Sequence, residues 1–248
     1  MTYNKKLSVI VPVYKGEKFI VDNLRVMQES FSRYFRKLEI IVVIDGNLDK
    51  SYEEAKKVKG IKVVGYTQNR GKGFALKYGF NFCTGDFITF IDADMDIHPD
   101  VFWNFIPYLT TADMVIGSKR HPFSKLSYPL TRQILSTCYM IFTWVVLGLR
   151  LRDTQSGLKI MKKELLDVIM PLILVKRYAF DVELCFLAYK HGFRIVEAPV
   201  EIKYRFNGSG ISGGTILGML MDTLAIRYRY SILHYYQKKY HQVRFSRE

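Results

Sequence analysis

The spacing of apolar and polar positions changes several times along this chain of 248 residues. Leu7–Val13, Glu39–Ile44, Ile61–Gly65, Phe87–Ile91 and Met114–Gly117 are short runs rich in β-branched and aromatic residues, and each reads as a strand. Between them the apolar residues recur at the helical repeat, which predicts helices over Lys18–Tyr34, Lys50–Lys59, Gly73–Phe82 and Pro99–Leu109. Strands that alternate with helices imply an α/β fold, a mostly parallel sheet with helices on both faces. Such sheets bind ligands beyond the carboxyl ends of their strands. Tyr14, Asp45 and the segment Asp92–Asp96 all follow predicted strand ends, so one cleft is expected to gather them.

After Ser118 the pattern is different. Gln133–Leu149 carries no charge and is bounded by Arg132 on one side and by Arg150 and Arg152 on the other. A bilayer-spanning helix needs about 20 mostly apolar residues. This run is shorter, and Ser136, Thr137, Thr143 and Gly148 dilute it. With Tyr139 and Trp144 it predicts an amphipathic helix lying in a membrane interface or tucked under the core. Ile216–Tyr236 is a second such stretch, mixing Ile, Leu and Met with Arg227, Arg229 and several tyrosines. The expected organisation is one domain over residues 1–212, including an interface helix at about 128–149, followed by a basic amphipathic helix and tail over 213–248.

Composition narrows the partners. Hydrophobic residues make up 49% of the chain, enough for a substantial core, and the formal net charge of +14 calls for an anionic partner. Phosphorylated small molecules and an acidic membrane surface fit that charge. No recognition helix or RNA-binding signature supports nucleic acid. Cys83, Cys138 and Cys185 are odd in number and widely spaced, which argues against a disulfide framework or a zinc site. Leu7–Val13 contains Pro12 and reads as a first strand, not a signal peptide.

The densest candidate chemistry is at the end of the Phe87–Ile91 strand, where Asp92, Asp94 and Asp96 follow in alternation. In an extended segment, alternate side chains share one side. Three carboxylates that close repel one another unless a cation lies between them. A hard divalent ion, Mg²⁺ or Mn²⁺, would bind there and keep coordination positions for substrate phosphates. A polar loop leading into the helix at Pro99 is the plainer alternative. Asn69-Arg70-Gly71-Lys72-Gly73 opens a helical pattern, and its glycines let backbone amides approach an anion at a helix N-terminus.

Taken in order, Val11-Pro12-Val13-Tyr14, Asp45-Gly46-Asn47-Leu48-Asp49, the Asn69–Gly73 segment, Asp92-Ala93-Asp94 and Ile116-Gly117-Ser118-Lys119 form a pattern that resembles the family 2 glycosyltransferases with the GT-A (Rossmann-like) fold. Arg152-Asp153-Thr154-Gln155-Ser156-Gly157-Leu158-Lys159 and Ala179-Phe180-Asp181-Val182-Glu183-Leu184 are similar to segments of the polyprenyl-phosphate glycosyltransferases, the group that contains dolichyl-phosphate glucose and mannose synthases. The resemblance spans roughly Leu7 to Ser212.

The resemblance implies roles for individual residues. Pro12, Tyr14, Glu17 and Asp45 would line the nucleoside pocket, with Asp92 beside ribose and metal. Asp94 and Asp96 would hold the cation bridging the donor diphosphate. Lys119, Arg132 and Arg205 would bind donor and acceptor phosphates, and Asp153 with the Thr154–Gly157 turn would shape the sugar and acceptor site. The chain departs from the family pattern in having Ile44 before Asp45, an added Gly16, and Lys119 where arginine is usual, with Arg120 following it. A monophosphate acceptor needs no general base, since its second pKa is about 6. His98, His121, His191, His234 and His241 are therefore expected to be structural or surface residues. The implied activity is inverting, metal-dependent transfer of a hexose to a polyprenyl (dolichyl) phosphate by a peripheral enzyme on the cytosolic face of a membrane. Glucose from UDP-glucose is favoured, and mannose from GDP-mannose comes next. The alternatives are a glycosyltransferase acting on a glycan or lipid hydroxyl, and a non-catalytic membrane-associated or nucleic-acid-binding protein.

Overall fold

The computed structural model describes residues 3–127, 130–203 and 213–245. Its first half follows the predicted alternation: β1 (Tyr3–Val13), α1 (Ile20–Ser32), β2 (Phe35–Asp45), α2 (Ser51–Lys56), β3 (Ile61–Tyr66), α3 (Lys72–Phe80) and β4 (Phe87–Phe90). After β5 (Met114–Ser118) come β6 (Lys125–Ser127), α4 (Leu130–Leu147), β7 (Lys159–Lys162), α5 (Lys163–Ile169) and α6 (Phe180–Lys190). β8 (Ile195–Pro199), β9 (Glu201–Lys203), α7 (Gly213–Ser231) and α8 (Tyr235–Phe245) complete the described chain.

Seven strands form the main sheet in the order β3-β2-β1-β4-β7-β5-β8. All neighbours are parallel except β7, which runs antiparallel to both β4 and β5. Both faces of the sheet are covered, and the strands are accordingly apolar at consecutive positions. In β2, Ile41 and Val43 pack into one core cluster while Ile40, Val42 and Ile44 pack into the other. α1 buries Ile20, Leu24, Met27 and Phe31 at the helical repeat against the second cluster. Ile226 of α7 and Tyr236 of α8 are fully buried in the first cluster, so the C-terminal helices contribute to the core.

Three expectations are corrected. Pro99–Leu109 is not one α-helix but two 3₁₀ turns, Pro99–Asn104 and Ile106–Tyr108. Pro107 lacks an N–H, and its ring disfavours a continuous helix. Ile216–Tyr236 is not a single helix either: the chain ends α7 at Ser231 and restarts at Tyr235, turning through His234 at φ +49°. β7 has no counterpart in the sequence prediction, because Lys159 and Lys162 bracket its two apolar residues. Cys83 and Cys185 are buried, Cys138 is exposed and all three are free.

Candidate active site

The parallel strands β1, β2, β4 and β5 end on the same side, and the loops that leave them build the site. Asp45, at the end of β2, is only 3% exposed. Its carboxylate accepts from the backbone N–H groups of Arg70 (2.7 Å) and Gly71 (3.0 Å) and from Asn69 Nδ2 (3.2 Å). Asp45 therefore shapes the turn before α3, with its acceptor atoms already engaged. Pro12 is half-buried on β1, and Tyr14 stands exposed at the mouth of the loop that follows. The Glu17 carboxylate accepts from Lys50 N at 3.1 Å, and Glu17 N donates to Asp49 at 3.1 Å, tying the loop after β1 to the loop after β2.

The acid segment after β4 is a turn, not an extended strand. Met95 N donates to Asp92 O at 3.1 Å and Met95 adopts φ +54°, so strict alternation of side chains is lost. Asn23 of α1 holds this turn through Nδ2 to Ala93 O at 2.8 Å. Asp92 forms an ion pair with Lys72, at the start of α3, with 2.5 Å between Oδ1 and Nζ. Burial opposes the charge on Lys72, but Asp92 and Asp181 outweigh it and hold the ammonium above its ordinary value. Asp94 is open to solvent at the cleft rim, yet crowding by protein, followed by the charges of Asp92 and Asp96, pushes its carboxyl up to about 6.

On the facing wall, Asp153 is 4% exposed. It accepts from Lys119 N (3.0 Å) and Gln155 N (3.1 Å), with Lys119 Nζ 3.5 Å away. Beneath that turn lies a buried ion pair, Lys159 Nζ to Asp181 Oδ1 at 2.6 Å, with Lys159 also donating to Ser156 O. The turn presses on the acid loop so closely that a Cβ at Gly157 would come within 2.2 Å of Asp92 Oδ2. Arg120 donates to Arg152 O (3.0 Å) and to Ser136 Oγ (2.9 Å), which fastens α4 to the site. A cavity of about 110 Å³ opens between these parts, lined by Asp92, Asp96, Lys119, Ser136, Gln155 and Gly157, among others.

Asp92, Asp96, Lys119 and Asp153 thus meet at one cavity or its wall, with Asp94 at the rim. Pro12, Tyr14, Glu17 and Asp45 lie along the neighbouring loops. Arg205 lies outside the described residues, and so does the side chain of Arg132, whose backbone is in α4. Among the described residues, no group of three or more His, Cys, Asp and Glu side chains is arranged to hold a metal ion. The acid segment forms a turn instead of the expected extended run, and Lys72 pairs with Asp92. The donor chemistry fits a hard dication: burial and then the charges of Asp92 and Asp96 raise the Asp94 carboxyl, a bound cation would relieve the repulsion, and Mg²⁺ is typically held by one or two carboxylates plus substrate phosphates. Sequence reasoning missed the roles of Lys72, Asn23 and the Lys159–Asp181 pair. Lys72, Lys159 and Asp181 all fall inside motifs visible in the chain, but their pairing across the fold is not.

Residues 8–170 match the model of the glycosyl transferase family 2. A dolichyl-phosphate beta-glucosyltransferase of Homo sapiens is 30% identical, over 91% of this chain and 76% of that protein. An undecaprenyl-phosphate mannosyltransferase of Micrococcus luteus is 30% identical, over 70% of this chain and 74% of that protein. Among solved structures, the glucosyl-3-phosphoglycerate synthase of Mycobacterium tuberculosis, in complex with Mn²⁺, UDP and phosphoglyceric acid, superposes with a TM-score of 0.69. The match covers 90% of this chain and 78% of that one at 20% identity, a likeness of fold.

Proposed function

Because the chain belongs to the glycosyl transferase family 2, and is a glycosyltransferase with the GT-A fold, we propose that it moves a hexose from a nucleotide sugar to a polyprenyl phosphate at a membrane surface. The relatives that act on dolichyl and undecaprenyl phosphates support this acceptor class. The observation that carries it is the cavity itself: Asp92, Asp96 and Lys119 line it together with Ser136 of α4. α4 also exposes Ile134, Leu135, Ile141 and Val145. An acceptor with a charged head and an apolar tail fits a charged cavity beside an apolar helix face.

In the proposed reaction an acceptor phosphate oxygen attacks C1 of the hexose as the bond from C1 to the donor diphosphate breaks. The bonding pair leaves on the diphosphate, and the products are a nucleoside diphosphate and a polyprenyl phosphohexose with inverted configuration. Lys119, fixed on Asp153, offers its ammonium to phosphate oxygens as a point charge. Arg132 and Arg205 are proposed to add to that charge. A Mg²⁺ or Mn²⁺ held by Asp94 and Asp96, with Asp92 alongside, would neutralise charge on the departing diphosphate. Pro12, Tyr14, Glu17 and Asp45 are assigned to the nucleoside side, with Asp45 acting through the turn it holds. A phosphate acceptor is largely ionised at neutral pH and needs no base, which suits a site where the buried Asp153 carboxylate is already bonded.

UDP-glucose is the proposed donor, and GDP-mannose the next. The test incubates labelled UDP-glucose, GDP-mannose and other nucleotide sugars with polyprenyl phosphate and Mn²⁺ or Mg²⁺. A labelled lipid formed from UDP-glucose is expected. A lipid labelled only from GDP-mannose would replace the sugar, and no labelled lipid from any donor would refute the acceptor.

A further inference from the structure

Lys72 projects from a clamped turn. Gly71 adopts φ +94°, and a Cβ there would meet Lys176 O at 2.7 Å. On the other side of Lys72, a Cβ at Gly73 would meet the Phe180 side chain at 2.6 Å, and Phe74 N donates to Lys176 O at 3.0 Å. The backbone therefore cannot carry the ammonium away from the cleft; only the flexible side chain can redirect it. Its partner Asp92 lines the cavity, and both side chains are partly exposed, Lys72 at 26% and Asp92 at 37%.

A dication approaching Asp92, Asp94 and Asp96 therefore meets a carboxylate that already has a cation on it, and is repelled by that cation as well. A diphosphate changes the balance, because it offers the Lys72 ammonium a second set of anionic oxygens. We propose that Lys72 is a positioning residue that serves as an internal counterion for Asp92 and is handed to the donor diphosphate, so that divalent cation and nucleotide bind cooperatively. The inference rests on the nucleotide-sugar reading above. Linkage makes the effect reciprocal: whatever factor the nucleotide contributes to cation affinity, the cation contributes to nucleotide affinity.

The test measures Mn²⁺ binding directly, by the electron paramagnetic resonance of free Mn²⁺, with and without UDP or GDP. Wild-type protein should bind Mn²⁺ weakly alone and more tightly with one of the two nucleotides. In Lys72→Met, Mn²⁺ alone should bind about five- to tenfold more tightly than in wild type, and the enhancement by nucleotide should shrink by a similar factor. Lys72→Gln should behave alike and serves where the methionine variant does not fold. In an Asp92→Asn background the gain from the same Lys72 substitutions should shrink, because only the direct repulsion between ammonium and dication is left to relieve. Folded Lys72 variants that bind Mn²⁺ no better than wild type, while wild type keeps its nucleotide enhancement, would overturn the counterion role alone. Wild-type protein that binds Mn²⁺ equally with and without nucleotide would overturn it too. Binding of neither Mn²⁺ nor nucleotide would overturn the donor reading together with it.

Discussion

Asp94 is placed against its own stability. An ordinary aspartate titrates near 3.8, whereas crowding by protein and by Asp92 and Asp96 holds this carboxyl at about 6. The folded chain thus binds that proton more tightly than the unfolded chain does. Stability contributed by the protonated form is lost as pH rises through the interval between those values, and the penalty persists above it. Asp94→Asn in chelator should therefore melt higher than wild type at pH 7.5, and the advantage should vanish near pH 4. The same variant should lower turnover by about 100-fold or more, since the leaving charge loses its support. Equal melting temperatures across the pH range would show that burial and the neighbouring carboxylates do not hold the Asp94 carboxyl raised. Alternating aspartates after an apolar strand were legible in the sequence as a candidate divalent-cation site. The turn at Met95 was not, because nothing in the local sequence announces a positive φ at a methionine. The partner of Asp92 was not legible either: Lys72 lies 20 residues earlier in the chain and meets it only after β4 inserts beside β1.

At the scale of elements, α4 and α7 pack side by side, joined by the Tyr139 hydroxyl to Thr223 Oγ1 at 2.9 Å. Both leave apolar side chains outside. α7 exposes Leu217, Met221, Leu224 and Tyr228, a single helical face, and α4 exposes Ile134, Ile141 and Val145. No helix among the described residues is long and apolar enough to cross a membrane. Peripheral binding through this face is the proposed attachment, with basic residues such as Arg227 and Lys239 contributing roughly 1 kcal/mol each near an anionic surface. Co-sedimentation with acidic liposomes should weaken in high salt without vanishing. The double variant Ile141→Asp/Val145→Asp should lose the salt-resistant part while its melting temperature stays close to wild type, because both positions are exposed. Unchanged liposome binding would assign attachment elsewhere. The period of α4 and of the first-half strands was legible because one hydrophobic pattern decides each. β7 was hidden because Lys159, a residue foreign to strand interiors, is buried there only by virtue of Asp181 on α6.

Across the whole molecule, distant segments are stitched to the site by buried charges. Glu183 of α6 accepts from Leu174 N (3.0 Å), Val175 N (2.7 Å) and the Tyr236 hydroxyl of α8. Through it the C-terminal helices support the segment that packs on Gly71, so the proposed membrane face and the proposed donor site share one core. The net charge of +14 suits a protein that handles a diphosphate, a lipid phosphate and an acidic surface together. The proposed nucleophile is a phosphate already ionised, met by Lys119, Arg132 and Arg205, with no base supplied by the protein. Its most direct test compares initial rates with polyprenyl phosphate and the corresponding free polyprenol under one donor. Polyprenyl phosphate should be glycosylated, with a rate that falls on the acid side near the phosphate's second pKa of about 6, and the alcohol should not react. Faster transfer to the alcohol, or to a sugar hydroxyl, would contradict the claim and point to an enzyme that deprotonates its acceptor.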